Sequence, residues 1–134
     1  MSAQLANVVP LMPDRGARGL ILHVDDDHAR RHSTAMLLHS AGFETREAAT
    51  GEQALSQLET LRGRLDVLIV DYDLGRGMTG TELADDFARL LGHAVPTVVL
   101  TCDPANAEVP WLADAPVWVA RKPLRPDTLL AALP

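Results

Sequence analysis

The sequence predicts an α/β domain with a parallel sheet covered by helices on both faces. Two observations carry this. Short apolar runs alternate with segments of helical period through residues 19–134. Three of those runs, at residues 20–24, 65–72 and 97–101, are rich in Val, Ile and Leu, as expected of strands buried on both sides. Right-handed crossovers then place helices on both faces. In such sheets, ligands sit at the carboxyl ends of the strands, near a switch in strand order.

The elements follow in order. Residues 1–18 carry Pro10 and Pro13 and show no period, so they read as an arm or interdomain linker. Residues 20–24 form the first strand. Residues 28–40 place Ala29, Ala35, Met36, Leu37 and Leu38 among polar residues, a helix stopped by Gly42. Residues 43–48 are a short strand. Thr50 and Gly51 open a second helix with Ala54, Leu55, Leu58 and Leu61 at three- and four-residue steps. The strand at 65–72 runs into Asp71. Residues 81–91 form a third helix, with Leu83, Ala84, Phe87, Leu90 and Leu91 on its apolar side. Residues 97–101 and 117–120 are the last two strands, and 127–133 a short final helix. Between them, Pro110 sits inside residues 105–115. A regular helix there would lose a hydrogen bond and suffer a ring clash of about 3 kcal/mol. The fourth helix is therefore expected to be short or broken.

Composition narrows the function. A chain of 134 residues with 47% hydrophobic residues fits one domain with a sizeable core. No apolar run approaches the roughly 20 residues that cross a bilayer. The first residues lack a basic n-region and do not read as a signal peptide. A net charge of −6 argues against a broad nucleic-acid surface. The single cysteine, Cys102, excludes an intrachain disulfide and fits a reducing cytoplasm. Of the 12 basic residues, only Lys122 is a lysine, which suggests a specific task for it.

The polar residues collect at one edge. The first strand ends in Asp25, Asp26 and Asp27, the third in Asp71, the fourth in Thr101, and the fifth leads to Lys122 and Pro123. A parallel sheet brings these ends together. Bare carboxylates in one cleft repel. A hard divalent cation relieves this, and all-oxygen ligands suit Mg²⁺. Lys122 adds a compact charge for a phosphate oxygen. Metal, lysine, hydroxyl and a carboxylate nucleophile together form a phosphoryl-transfer set.

These residues resemble a response-regulator receiver domain, the phospho-accepting module of two-component signalling. The resemblance spans residues 19–133. It rests on LILHVDDD, AGFET, ATGEQAL, DVLIVDYDLGRGMTGTEL, PTVVLT and RKPL. It implies a three-layer flavodoxin-like (βα)5 fold with strand order 2-1-3-4-5. Asp71 matches the phosphoacceptor. Asp25 and Asp26 match the metal-binding acidic pair, with Asp26 the direct Mg²⁺ ligand and Asp25 acting through water. Asp73 matches a position that lends the metal its backbone carbonyl. Thr101 matches the switch hydroxyl, Lys122 the lysine of the site, and the Lys122–Pro123 bond is implied to be cis. The implied activity is not that of a conventional enzyme: the domain catalyses its own aspartyl phosphorylation and dephosphorylation. The implied partners are a sensor histidine kinase or a histidine phosphotransfer domain, with self-association into a homodimer a further expectation. No nucleic acid or membrane contact is expected within this chain.

The sequence also departs from the family pattern. The loop from Asp71 to Gly80 looks one residue longer than usual. Val119 stands where many receivers carry a switch aromatic, and Trp118 beside it should face the other side of its strand. These traits resemble receivers attached to hybrid histidine kinases. Asp73 and Asp103 lie where the family tunes hydrolysis, and both a water-positioning and a water-repelling role stay open. His28, His32 and His39 lie along the first helix and read as a solvated face.

Two alternatives belong to other classes. DYDLG resembles the first motif of haloacid-dehalogenase-type phosphatases. Their acidic pair comes last in the chain, whereas Asp25 and Asp26 come first here. A degenerate receiver that binds partners without phosphorylation is the other alternative, and the complete set of site residues argues against it.

Overall fold

A computed structural model describes residues 18–61, 64–75, 78–106, 116–122 and 131. The expected arm up to residue 17, most of the proline-punctuated segment at 105–115 and all of the last helix but residue 131 lie outside the described residues. Of that segment, a 3-10 turn at Pro104–Asn106 is described.

The chain runs β1 (Gly19–Val24), α1 (His28–Ser40), β2 (Phe43–Ala48), α2 (Gly51–Ser56), α3 (Leu58–Leu61), β3 (Leu65–Asp71), α4 (Gly80–Leu91), β4 (Thr97–Thr101) and β5 (Val117–Arg121). The five strands form one sheet in the order β2-β1-β3-β4-β5, and every neighbouring pair is parallel. This is the flavodoxin-like order 2-1-3-4-5, and it places the switch in strand order between β1 and β3.

Strand alternation divides the core in two. Leu22, Val24, Leu68, Val70 and Val99 face a cluster that contains Ala54, Leu61, Leu83 and Phe87 of the helices α2 to α4. Ile21, Val67, Ile69, Val98 and Leu100 face the other side, with Leu38 of α1 and Phe43. Both faces are therefore covered, as the apolar strands predicted. Each fully buried Leu, Ile or Phe contributes about 1.5–3 kcal/mol of burial.

The helices begin on side-chain caps. Asp27 Oδ1 accepts from Arg30 N–H at 3.0 Å, and Thr50 Oγ1 accepts from Gln53 N–H at 3.0 Å. At α4, Thr79 and Glu82 form a reciprocal capping box, with distances of 3.1 and 2.9 Å. Such a cap contributes about 1 kcal/mol. Gly92 ends α4 at φ 82°, a left-handed turn that suits glycine.

The second helix differs from the sequence expectation. It is two short helices, broken at Gln57. The Gln57 N–H turns back onto the Ala54 and Leu55 carbonyls, while its side-chain Nε2 donates to Glu47 O at 2.9 Å. Tying the side chain to β2 favours the break over a continuous helix.

Candidate functional site

The sheet register builds the site. Along β1, Ile21, His23 and Asp25 share one face; along β3, Val67, Ile69 and Asp71; at β5, Trp118, Ala120 and then Lys122. Period two therefore brings Asp25, Asp71 and Lys122 to the face that α1 covers. The Lys122 ammonium contacts Asp71 Oδ1. The Lys122 N–H donates to Thr101 O at 2.9 Å, fixing the chain as it leaves β5.

Asp25 and Asp71 are buried, whereas Asp26 is exposed. An oxygen from each of these three carboxylates lies within 4.8 Å of the other two. A cluster of hard oxygen donors of both buried and accessible kinds fits Mg²⁺, which takes one or two carboxylates and keeps several waters. A cavity of about 360 Å³ opens beside Asp26, lined also by Thr50, Gly51, Leu74 and Met78.

The charges are unequal. Burial raises the Asp71 carboxyl above its ordinary range, and Lys122 only partly offsets this. Burial also pushes Asp25 up, but hydrogen bonds from Arg30 and the Asp27 N–H outweigh it and hold this carboxyl below its ordinary range. Arg30 grips Asp25 with two bonds, Nε to Oδ2 at 2.6 Å and Nη2 to Oδ1 at 3.0 Å. Its Nη2 also lies 3.7 Å from Asp71 Oδ2. Arg31 donates to Asp25 O at 2.7 Å and pairs with Glu47 at 3.1 Å, joining α1 to β2. Below Asp25, His23 is fully buried, and burial lowers its pKa to about 4, so it is neutral at pH 7.

Two site residues lie apart from that face. Thr101 ends β4 on the parity of Val99, and its hydroxyl accepts from Asp103 N–H at 3.1 Å. Val119 pairs with Val99 in the sheet, while Trp118 packs in the cluster beside α1, on the opposite face as expected.

The described part of the loop after Asp71 is internally bonded. Asp73 and Thr79 face each other in an isolated antiparallel bridge. It uses Gly80 N to Tyr72 O at 2.7 Å and Leu74 N to Met78 O at 3.1 Å, so it takes neither backbone group of Asp73. The Asp73 side chain instead accepts from Gly75 N–H at 3.0 Å. Gly80 lies tight against β3: a Cβ there would overlap Asp71 O and stand 2.7 Å from Val70 Cγ2.

The response regulator receiver domain family matches residues 21–134. The chain belongs to this family. A solved receiver domain from the hybrid histidine kinase CckA is 32% identical, with a TM-score of 0.68 over 84% of this chain and 94% of that one. A two-component response regulator of Arabidopsis thaliana, ARR21, is 28% identical over 109 residues, 81% of this chain. The CAI-1 autoinducer sensor kinase/phosphatase CqsS of Vibrio cholerae is 32% identical over 79 residues, 58% of this chain. The matched regions make up 17% and 11% of these two curated relatives. Among the described residues of this receiver, no helix is long and apolar enough to cross a membrane.

The receiver site thus gathers Asp25, Asp26, Asp71 and Lys122. Sequence reasoning missed Arg30, Arg31 and His23. Arg30 did leave a signal: it lies in the first turn of α1, where a cation opposes the helix dipole and therefore needs a nearby anion. His23 interrupts the apolar run of β1, and that too was legible.

Proposed function

We propose that this receiver accepts a phosphoryl group on Asp71 from a phosphohistidine of a sensor histidine kinase or histidine phosphotransfer domain, and then changes its surface. The observation that supports this most is the contact between Lys122 and the buried Asp71 beside two further carboxylates. A nucleophilic carboxylate and a fixed ammonium on a shared face suit phosphoryl transfer, which depends on positioning and charge more than on covalent chemistry.

In this reading an Asp71 oxygen attacks phosphorus and a P–O bond forms. The N–P bond of the donor breaks, and its electron pair returns to the imidazole. Lys122 stays against the charge that develops on the phosphoryl oxygens. Asp26, Asp71 and the Asp73 carbonyl would hold Mg²⁺, with Asp25 acting through water; the bound ion supplies charge neutralisation on the transferring group. The Asp73 carbonyl suits this role because the loop bridge does not use it. Afterwards the Thr101 hydroxyl exchanges its Asp103 N–H for a phosphoryl oxygen, and Val119 takes part in the switch without an aromatic ring. Pro123, partner to Lys122 in the expected cis peptide, lies outside the described residues.

The likeness to the CckA receiver supports attachment to a hybrid histidine kinase, with residues 1–18 then a linker, and the single cysteine suits a reducing cytoplasm. Membership of the receiver family leaves no support for the phosphatase alternative.

The test is incubation with acetyl phosphate and Mg²⁺. Label should appear on wild type and vanish in Asp71→Asn. Full labelling of Asp71→Asn would defeat the assignment.

A further inference from the structure

Arg30 is placed against its own helix. It lies in the first turn of α1, a turn without an acidic residue, where the helix dipole disfavours a cation. The acidic cluster compensates. Its guanidinium holds both oxygens of the fully buried Asp25, at 2.6 and 3.0 Å, and its Nη2 lies 3.7 Å from Asp71 Oδ2. Arg30 Nη1 stands 3.8 Å from Asp27 Oδ2. One charged group thus spans two of the three carboxylates that lie within 4.8 Å of one another.

Building on the receiver reading above, we propose that Arg30 is an internal counter-cation of the acidic cluster, and that Mg²⁺ binds this receiver only in competition with it. Two physical arguments support this. The first is occupancy. Asp25 Oδ2 accepts from Arg30 Nε, and Oδ1 accepts from both Arg30 Nη2 and the Asp27 N–H. Oδ1 is thereby filled, and a metal-bound water that uses Asp25 must share Oδ2 with the Arg30 fork. The second is charge. Three carboxylates facing Lys122 and Arg30 carry one net negative charge; without Arg30 they would carry two. The second arrangement neutralises a divalent cation, whereas the first leaves one positive charge unbalanced. The Arg30 side chain is 33% exposed while Asp25 is at 0%, so the arginine tip is the partner able to swing away. The receiver is then held metal-poor at low Mg²⁺.

The test measures Mg²⁺ binding by calorimetry, with no phosphodonor present. Arg30→Met should bind Mg²⁺ at least about tenfold more tightly than wild type, because a nearby unit charge is removed. Arg30→Lys, which keeps the charge but loses the fork, should fall between them. Equal or weaker binding by Arg30→Met overturns the proposal. Arg30→Met leaves Asp25 buried without its partner and can fail to fold, so a second measurement uses wild type. The Arg30 Nε–H resonance should move as Mg²⁺ saturates the site; a resonance fixed through saturation overturns the proposal. Asp71 labelling by acetyl phosphate is scored separately. Its failure counts against the receiver reading, whereas unchanged Mg²⁺ affinity beside normal labelling counts against the Arg30 proposal alone.

Discussion

Lys122 reaches from the end of β5 to the carboxylate of Asp71 at the end of β3, across the intervening strand β4. Asp71 is nearly fully buried, yet burial leaves its carboxyl above the ordinary range even with this ammonium in contact. The residue best placed for chemistry is therefore one that the fold tolerates at a cost.

Replacing Lys122 by methionine should slow acetyl phosphate labelling of Asp71 by about a hundredfold, the usual scale for losing one preorganised charge partner. Lys122→Arg should not restore the rate. The site encloses the lysine, whose side chain is only 16% exposed, and a planar fork needs different room. Rates followed by mass spectrometry at saturating Mg²⁺ decide it; labelling of Lys122→Met at the wild-type rate would contradict the role.

Asp71→Asn should raise stability at neutral pH by on the order of 1 kcal/mol. The native carboxyl holds its proton more tightly than the unfolded chain, whose value is 3.8. Wild-type stability therefore falls as pH rises through the interval between 3.8 and the raised native value. The advantage of asparagine should disappear below that interval. Urea midpoints at neutral and acid pH test both halves.

His23 gives the opposite slope. Its pKa falls from 6.5 in the unfolded chain to about 4 in the native one. Between those values the unfolded state binds more protons, so stability rises with pH across about 4 to 6.5. The full swing is on the order of 3 kcal/mol. The difference in stability between wild type and His23→Leu, measured across that window, should follow this curve. A difference independent of pH would show that His23 is not buried neutral.

Gly80→Ala should destabilise the domain by about 1–3 kcal/mol, the usual cost of overpacking. The new methyl would overlap the Asp71 carbonyl, so β3 or the start of α4 must shift. Thermal melting, together with slower Asp71 labelling, checks it.

Much of this was legible in the chain. The helix α1 and the strands β2 and β4 lie at the bounds expected from the sequence, and Trp118 facing away from Val119 follows from strand period. The gathering of Asp25, Asp26, Asp71 and Lys122 follows from parallel strands alone. The break at Gln57 was not legible. It depends on a side chain reaching the backbone of β2, and no local period encodes that contact. Nor were the hydrogen bonds that tie the loop after Asp71 through Tyr72, Leu74, Gly75 and Met78.

By itself the sequence determined the five strands and which chemical groups meet at the sheet edge. Periods of two and 3.6 fix faces, and parallel strands fix ends. Only the tertiary structure decided how those groups are charged and partnered. Asp25 is sealed beneath Arg30, Asp26 is left to solvent, and Asp71 is shared between Lys122 and the reach of Arg30. Burial and side-chain reach set these differences, and both arise only when elements distant in sequence are packed together.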